Sequence, residues 1–119
     1  MATPDTLVAA HLVAFTTAPS VEDGRRLART LVERGLVACG TVIPGGVSVY
    51  RWKGVVEEQE EVLVVLKTTA ARWPDLAAAL PGLHPYEVPE LIALPVVHGH
   101  GPYLRWVSDE TSEATTKKE

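Results

Sequence analysis

Only one cysteine, Cys39, stands in the 119 residues, so no disulfide can close within the chain, and such sparing use fits a reducing compartment. Long apolar runs are missing: none approaches the ~20 residues of a membrane span. Positive charge is scarce as well. Eleven basic against fifteen acidic side chains leave 11 − 15 = −4. That balance argues against nucleic acid, which asks for a basic stripe, and against an anionic membrane surface, which asks for clustered Lys and Arg. Leu7–Phe15 is apolar enough for a signal-peptide core, but the first basic residue is Arg25, so the positive flank is absent. The chain therefore reads as cytoplasmic. It also lacks a phosphate loop, a CxxC pair and a Ser-His-Asp set in recognisable context, and it reads as a protein that is not an enzyme.

What the chain does have is a very long hairpin. Val37–Trp52 and Val55–Thr69 read as two strands joined by a tight turn at Lys53-Gly54, since glycine after a polar residue between β-rich runs marks a short hairpin. Strands average ~5–6 residues, so arms of this length must bend or overhang the domain. Pro44-Gly45-Gly46 is the expected bend, because proline cannot donate to the ladder and glycine marks bulges. Val62-Leu63-Val64-Val65-Leu66 is apolar on both parities, which predicts a central strand buried on both faces. Leu7–Thr16 has the same character and is the second central candidate. Glu57, Glu58, Glu60 and Glu61 load the outer part of the hairpin with charge. Alternation sends them to opposite faces, so a solvated, aggregation-resistant tip is favoured over a hard-cation site.

The remaining elements follow from caps and breakers. Ser20 caps a helix with Glu22 and Asp23 in its first turn, Leu27, Ala28, Leu31 and Val32 as its inward stripe, and Gly35 as its stop. Its arginines, Arg25, Arg26, Arg29 and Arg34, read as a solvated face. A second helix spans Ala71–Leu83, with Pro74 in its first turn and Pro81-Gly82 ending it. His84-Pro85-Tyr86-Glu87-Val88-Pro89 is a rigid extended linker. Leu91–Val97 is a fourth strand, Gly99–Pro102 a turn, and Tyr103–Val107 a short closing helix before a polar tail from Thr111. The order β-α-β-β-α-β is the ferredoxin-like, α+β pattern, here with a long central hairpin and a short C-terminal helix. One domain spans residues 1–119, with an ordered core of about 6–109. Right-handed crossovers put both main helices on one face of the sheet. The other face would then show Val and Leu to water, which predicts self-association.

With Ile43-Pro44-Gly45, Tyr50-Arg51-Trp52 before Gly54, Glu61-Val62 with Lys67-Thr68, His84-Pro85-Tyr86-Glu87-Val88-Pro89-Glu90, Ala93-Leu94-Pro95 and Tyr103-Leu104-Arg105-Trp106, the chain resembles the CutA divalent-cation tolerance family. The resemblance runs from about Leu7 to Val107. It implies a homotrimer in which long hairpins pack on neighbouring subunits, and kinship with PII-type signalling trimers that bind small ligands between subunits. The role it implies is a non-enzymatic trimeric divalent-cation (copper) tolerance protein; the alternative is a PII-like signalling or scaffold trimer with a small ligand in the inter-subunit cleft. Some members bind copper through a cysteine near the end of the first strand and tandem histidines before Pro-Tyr. Those positions hold Thr16 and Leu83-His84 here, so His84 alone survives of that set.

The candidate ligand cleft therefore comprises Trp52, Lys67, His84, Tyr86, Glu87 and Glu90, with His84 the metal candidate. A strong copper or zinc site takes three or four Cys, His or carboxylate ligands. No cofactor is expected to be required, and any copper or other divalent cation is expected to bind weakly. His98-Gly99-His100 reads as a solvated turn, and Cys39 as a buried small hydrophobe.

Overall fold

Seven elements form in chain order: β1 (His11–Ala18), α1 (Val21–Glu33), β2 (Cys39–Trp52), β3 (Val55–Thr69), α2 (Trp73–Leu83), β4 (Ile92–Pro95) and α3 (Gly101–Glu110). The computed structural model describes residues 9–112, so the expected strand start at Leu7 and the tail beyond Ser112 lie outside the described residues. The sheet runs β2-β3-β1-β4 with every neighbouring pair antiparallel, which is the ferredoxin-like arrangement anticipated from the pattern. The two strands that are apolar on both parities, β1 and β3, are indeed the central pair.

Alternation sorts their side chains. Ala14, Thr16 and Ala18 of β1, with Val62, Val64 and Leu66 of β3, point to the side of α1 and α2 and are buried there. Leu27, Ala28 and Leu31 of α1, and Leu76 and Leu80 of α2, close the same core. Val32 does not join the stripe as expected. It is exposed, and buried Gly24 takes the inward position. Gly24 lies where an added Cβ would come within 3.1 Å of the Val42 and Val62 side chains, so the helix approaches the sheet more closely than a larger residue would allow.

The opposite face is not bare. Helix α3 lies across one end of it: the His11 ring nitrogen Nε2 is 2.8 Å from Ser108 Oγ, and Tyr103 Oη is 3.7 Å from Cys39 Sγ. Val107 is buried beneath the helix, and Thr111, read from sequence as frayed tail, is buried with its hydroxyl donating to the Val107 carbonyl. Helix α3 is also longer than expected, because Pro102 sits at its start rather than in a turn, a position where no intrahelical N–H is missed. Away from α3 the face stays open. Ile43, Ile92 and Leu94 are 46%, 55% and 54% exposed.

Other boundaries moved for local reasons. Strand β2 begins at Cys39, not Val37, because Gly35 at φ 70° closes α1 with bonds from Gly35 N to Val32 O and Leu36 N to Leu31 O. That pairing is a Schellman motif, and it consumes the residues up to Val37 before the strand can start. Helix α2 starts at Trp73 and runs through Pro81 to Leu83. In the last turn Pro81 forfeits a single backbone bond, so it shortens the helix without stopping it at once. Strand β4 covers only Ile92–Pro95, and Pro95 is tolerated because β4 is an edge.

At the start of α1, Ser20 Oγ accepts from Asp23 N at 3.1 Å and donates to Asp23 Oδ2 at 3.0 Å. The Ser20 hydrogen bond first, then Arg26, holds the Asp23 carboxyl below its ordinary value of 3.8. A depressed carboxyl stabilises the fold above its unfolded value and loses that contribution as pH falls through the folded one. Ser20→Ala is expected to lower stability by about 1 kcal/mol at neutral pH. The gap to the parent should narrow in acid below the ordinary Asp value; urea unfolding at both pH values checks this.

Candidate functional site

Strand β3 pairs with β1 only from Thr69 back to Val62, opposite Ala18. Beyond that level β2 and β3 continue alone, paired from Gly46↔Glu61 out to Trp52↔Val55. The turn carries Lys53 at φ 52° and Gly54 at φ 84°, two left-handed residues as a two-residue hairpin requires. The register breaks between Ile43 and Gly46, where Pro44-Gly45 was expected to bend the strand. Gly46 is required there, since a Cβ would lie 2.9 Å from the Glu61 carbonyl oxygen. This two-stranded arm carries Val47, Val49, Val55 and Val56 in the open, with Tyr50 and Trp52 over a third exposed. Within the arm, Tyr50 Oη donates to Gln59 Oε1 at 2.9 Å and the Lys53 ammonium stands 5.5 Å over the Trp52 ring.

The linker after α2 crosses the sheet end from which the arm leaves. His84 is buried and extended, at φ −99° and ψ 141°, as the following Pro85 requires. The Tyr86 N–H can only donate, so it fixes His84 Nδ1 as the acceptor, at 3.1 Å. The proton then sits on Nε2, which donates to the Thr17 carbonyl at 2.7 Å. The Tyr86 ring packs against the imidazole at 5.0 Å between centroids. Its hydroxyl donates to Glu61 Oε2 at 2.5 Å. Burial first, then the Glu61 hydrogen bond and charge, push the Tyr86 hydroxyl well above its ordinary 10.0, so it stays a donor.

The candidate residues fall into separate places within one chain. His84 and Tyr86 are together. Glu87 and Glu90 are exposed on the same linker. Lys67 lies level with Val13, whereas the His84 anchor Thr17 lies level with Leu63. Four residues of strand, roughly 13 Å, separate them. Trp52 is further off, at the arm tip and roughly 20 Å of strand beyond Glu61. Among the described residues no three His, Cys, Asp or Glu side chains converge as a metal site would need. Thr16 is fully buried on the helix-covered face, Leu83 packs on the core, and both His84 nitrogens are engaged with backbone. A metal at His84 would have to displace one of those bonds. His98 and His100 are exposed ahead of α3.

Two sequence expectations need correcting here. Glu61 is not part of the solvated tip: it is half-buried and takes the Tyr86 hydroxyl. Its place as the last carboxylate before Val62–Leu66 was the signal available, because the arm meets the domain where the apolar run begins. Cys39 is half-buried rather than buried, against the Tyr103 hydroxyl, which burial and that thiol raise above the ordinary phenol value.

A family model described as CutA1 divalent ion tolerance protein matches residues 12–110. The divalent-cation tolerance protein CutA of Thermus thermophilus is 44% identical over 99 residues, 83% of this chain and 96% of that protein. Its solved structure superposes with a TM-score of 0.82 at 43% identity, covering 86% of this chain and 99% of the other. Protein CutA of Mus musculus is 44% identical over 102 residues, 86% of this chain, but the match spans only 58% of the mouse protein. A solved structure from Archaeoglobus fulgidus, described as a periplasmic divalent cation tolerance protein CutA, has a TM-score of 0.82 at 28% identity, covering 86% of this chain and 99% of the other.

Proposed function

Because the chain belongs to the CutA1 divalent ion tolerance family, we propose that it serves divalent-cation tolerance, copper included, as a non-enzymatic homotrimer. The observation that carries this reading is the arm. A two-stranded ribbon is marginal on its own in water, and this one holds four valines and two aromatics in the open. Beside it the sheet face exposes Ile43, Ile92 and Leu94. A second and third copy of the same chain would cover both surfaces, and a closed ring of identical contacts leaves none unsatisfied. Such packing also supplies what one chain lacks. An arm reaching a neighbour would bring Trp52 toward the Lys67 and His84–Glu90 surfaces, which lie too far apart within a protomer to share a ligand. The reading places the protein in the cytoplasm, in line with its single cysteine, although the Archaeoglobus relative is described as periplasmic.

One observation favours a second reading, a PII-like trimer that binds a small polar metabolite in the cleft. Both nitrogens of His84 are used by backbone groups, which leaves Lys67, Glu87 and Glu90 better suited to a polar ligand than to a metal. A thermal-shift screen separates the two. Ligand at 100 times its Kd adds about 2.7 kcal/mol per site, so a bound class stands out plainly. Stabilisation by copper or another divalent ion supports the first reading, and stabilisation by nucleotides or carboxylates alone supports the second. Copper is expected to bind only weakly, spread over His84, His98 and His100. One tight copper ion per chain would show a site that these residues do not explain.

A further inference from the structure

The arm leaves the domain at one level on both strands. On β3, pairing with β1 stops at Val62, so Glu61 is the first residue outward without a neighbour on that side. On β2, the register irregularity between Ile43 and Gly46 falls at the same height, with Gly45 at φ 95°. An irregular β2 and a β3 no longer flanked by β1 make this level the place where the ribbon can bend. Beyond it seven residue pairs extend, from Gly46↔Glu61 to Trp52↔Val55, roughly 23 Å of ribbon. Small rotations at the base therefore become large displacements at Trp52.

Among the described residues, the Tyr86–Glu61 bond is the one side-chain hydrogen bond or ion pair that ties this arm to the rest of the domain. The other polar contacts of the arm, Tyr50 with Gln59 and Lys53 over Trp52, lie within it. Tyr86 is itself braced. Its N–H is held by His84 Nδ1, its ring packs on the imidazole, and His84 Nε2–H is tied to Thr17, one residue from the end of β1. Pro85 and Pro89 flank the phenol and restrict the backbone on either side. A continuous strut thus runs from the β1 backbone through imidazole and phenol to the carboxylate at the arm base.

We infer that Tyr86 and Glu61 form a latch that sets the angle at which the β2–β3 arm leaves the domain, with His84 as the positioning residue that holds Tyr86 in place. The latch deepens the arm-mediated assembly proposed above, but it is defined within one chain and does not depend on which ligand, if any, the protein binds. It gives a use to the histidine other than metal ligation: His84 orients the phenol that aims the arm. Glu61 serves as an acceptor, so a neutral acceptor of the same shape should preserve the latch.

Amide hydrogen exchange on the full chain, followed by mass spectrometry, tests this. Four proteins are compared: the parent, Tyr86→Phe, Glu61→Ala and Glu61→Gln. Tyr86→Phe keeps the ring packing and removes only the donor, so it should fold. The expected result is exchange about tenfold faster in Gly46–Ser48 and Gln59–Val62 of Tyr86→Phe and Glu61→Ala. Central β1, from Ala14 to Thr17, should stay unchanged, and Glu61→Gln should match the parent. Equal protection in Tyr86→Phe and the parent would overturn the latch. So would a loss spread evenly over the arm base and β1, which would mark a general stabilising bond rather than a local one. Light scattering on the same four proteins reads assembly separately, and ligand binding enters none of these outcomes, so a failed latch is told apart from a failed assembly or ligand reading.

Discussion

Val64→Asp should abolish cooperative folding, or bring it to the edge. Val64 is fully buried, level with Thr16 on β1 and Val42 on β2. Its side chain points under α1, where Gly24 brings the helix backbone close. The buried hydrophobic cluster packed around it is aliphatic, and the polar neighbour across the strands is the buried Thr16. A carboxyl buried there would have at most the Thr16 hydroxyl for a partner, and burying a polar group so poorly compensated costs about 2–7 kcal/mol. Total stability of such a domain is only about 5–15 kcal/mol. Denaturant unfolding is expected to show a collapsed midpoint or no transition. A variant as stable as the parent would contradict the placement of β3 in the middle of the sheet. Val65→Asp is the matched comparison. Val65 faces the opposite side and is only half-buried, so the same charge should leave a folded chain and weaken self-association instead.

His84→Ala is the second large effect, and it is expected in stability before it is seen in metal binding. The substitution removes the acceptor for Tyr86 N–H and the donor to the Thr17 carbonyl, and it leaves a void where a buried ring stood. Each buried polar group left without a partner costs about 1–3 kcal/mol. A loss of roughly 3 kcal/mol is therefore expected in urea unfolding, without any metal present. If the loss were only a few tenths, the imidazole would be free of structural duty and far better placed to act as a ligand. Weak copper binding should fall in this variant but not vanish, since His98 and His100 remain exposed.

The central pair of strands was legible because both parities of β1 and β3 are apolar, and only a strand covered on both faces makes that pattern favourable. The arm was legible from length alone, and its bend from Pro44-Gly45-Gly46. Helix α3 was harder to place. Nothing in Tyr103–Val107 says which sheet face it crosses; that is decided by long-range contacts of Ser108 with His11 and Tyr103 with Cys39. The start of β2 was obscured because Leu36 and Val37 suit a strand, yet serve as the apolar return of the α1 cap. At the candidate site, His84-Pro85-Tyr86 announced itself by composition. What the sequence pattern did not carry was the pairing of Tyr86 with Glu61, residues 25 positions apart that come together only once the arm base and the linker meet. Trp52 and Lys67 were grouped with His84 on the resemblance, and within one protomer the strand register keeps them apart.

That separation makes assembly the central claim, since the proposed cleft would need another copy to complete it. Light scattering coupled to size exclusion, at micromolar chain concentration, tests it most directly. The open arm and sheet face predict self-association, and the proposed trimer predicts a single species with the mass of three chains. A species with the mass of one chain, with the arm exposed to solvent, would contradict it.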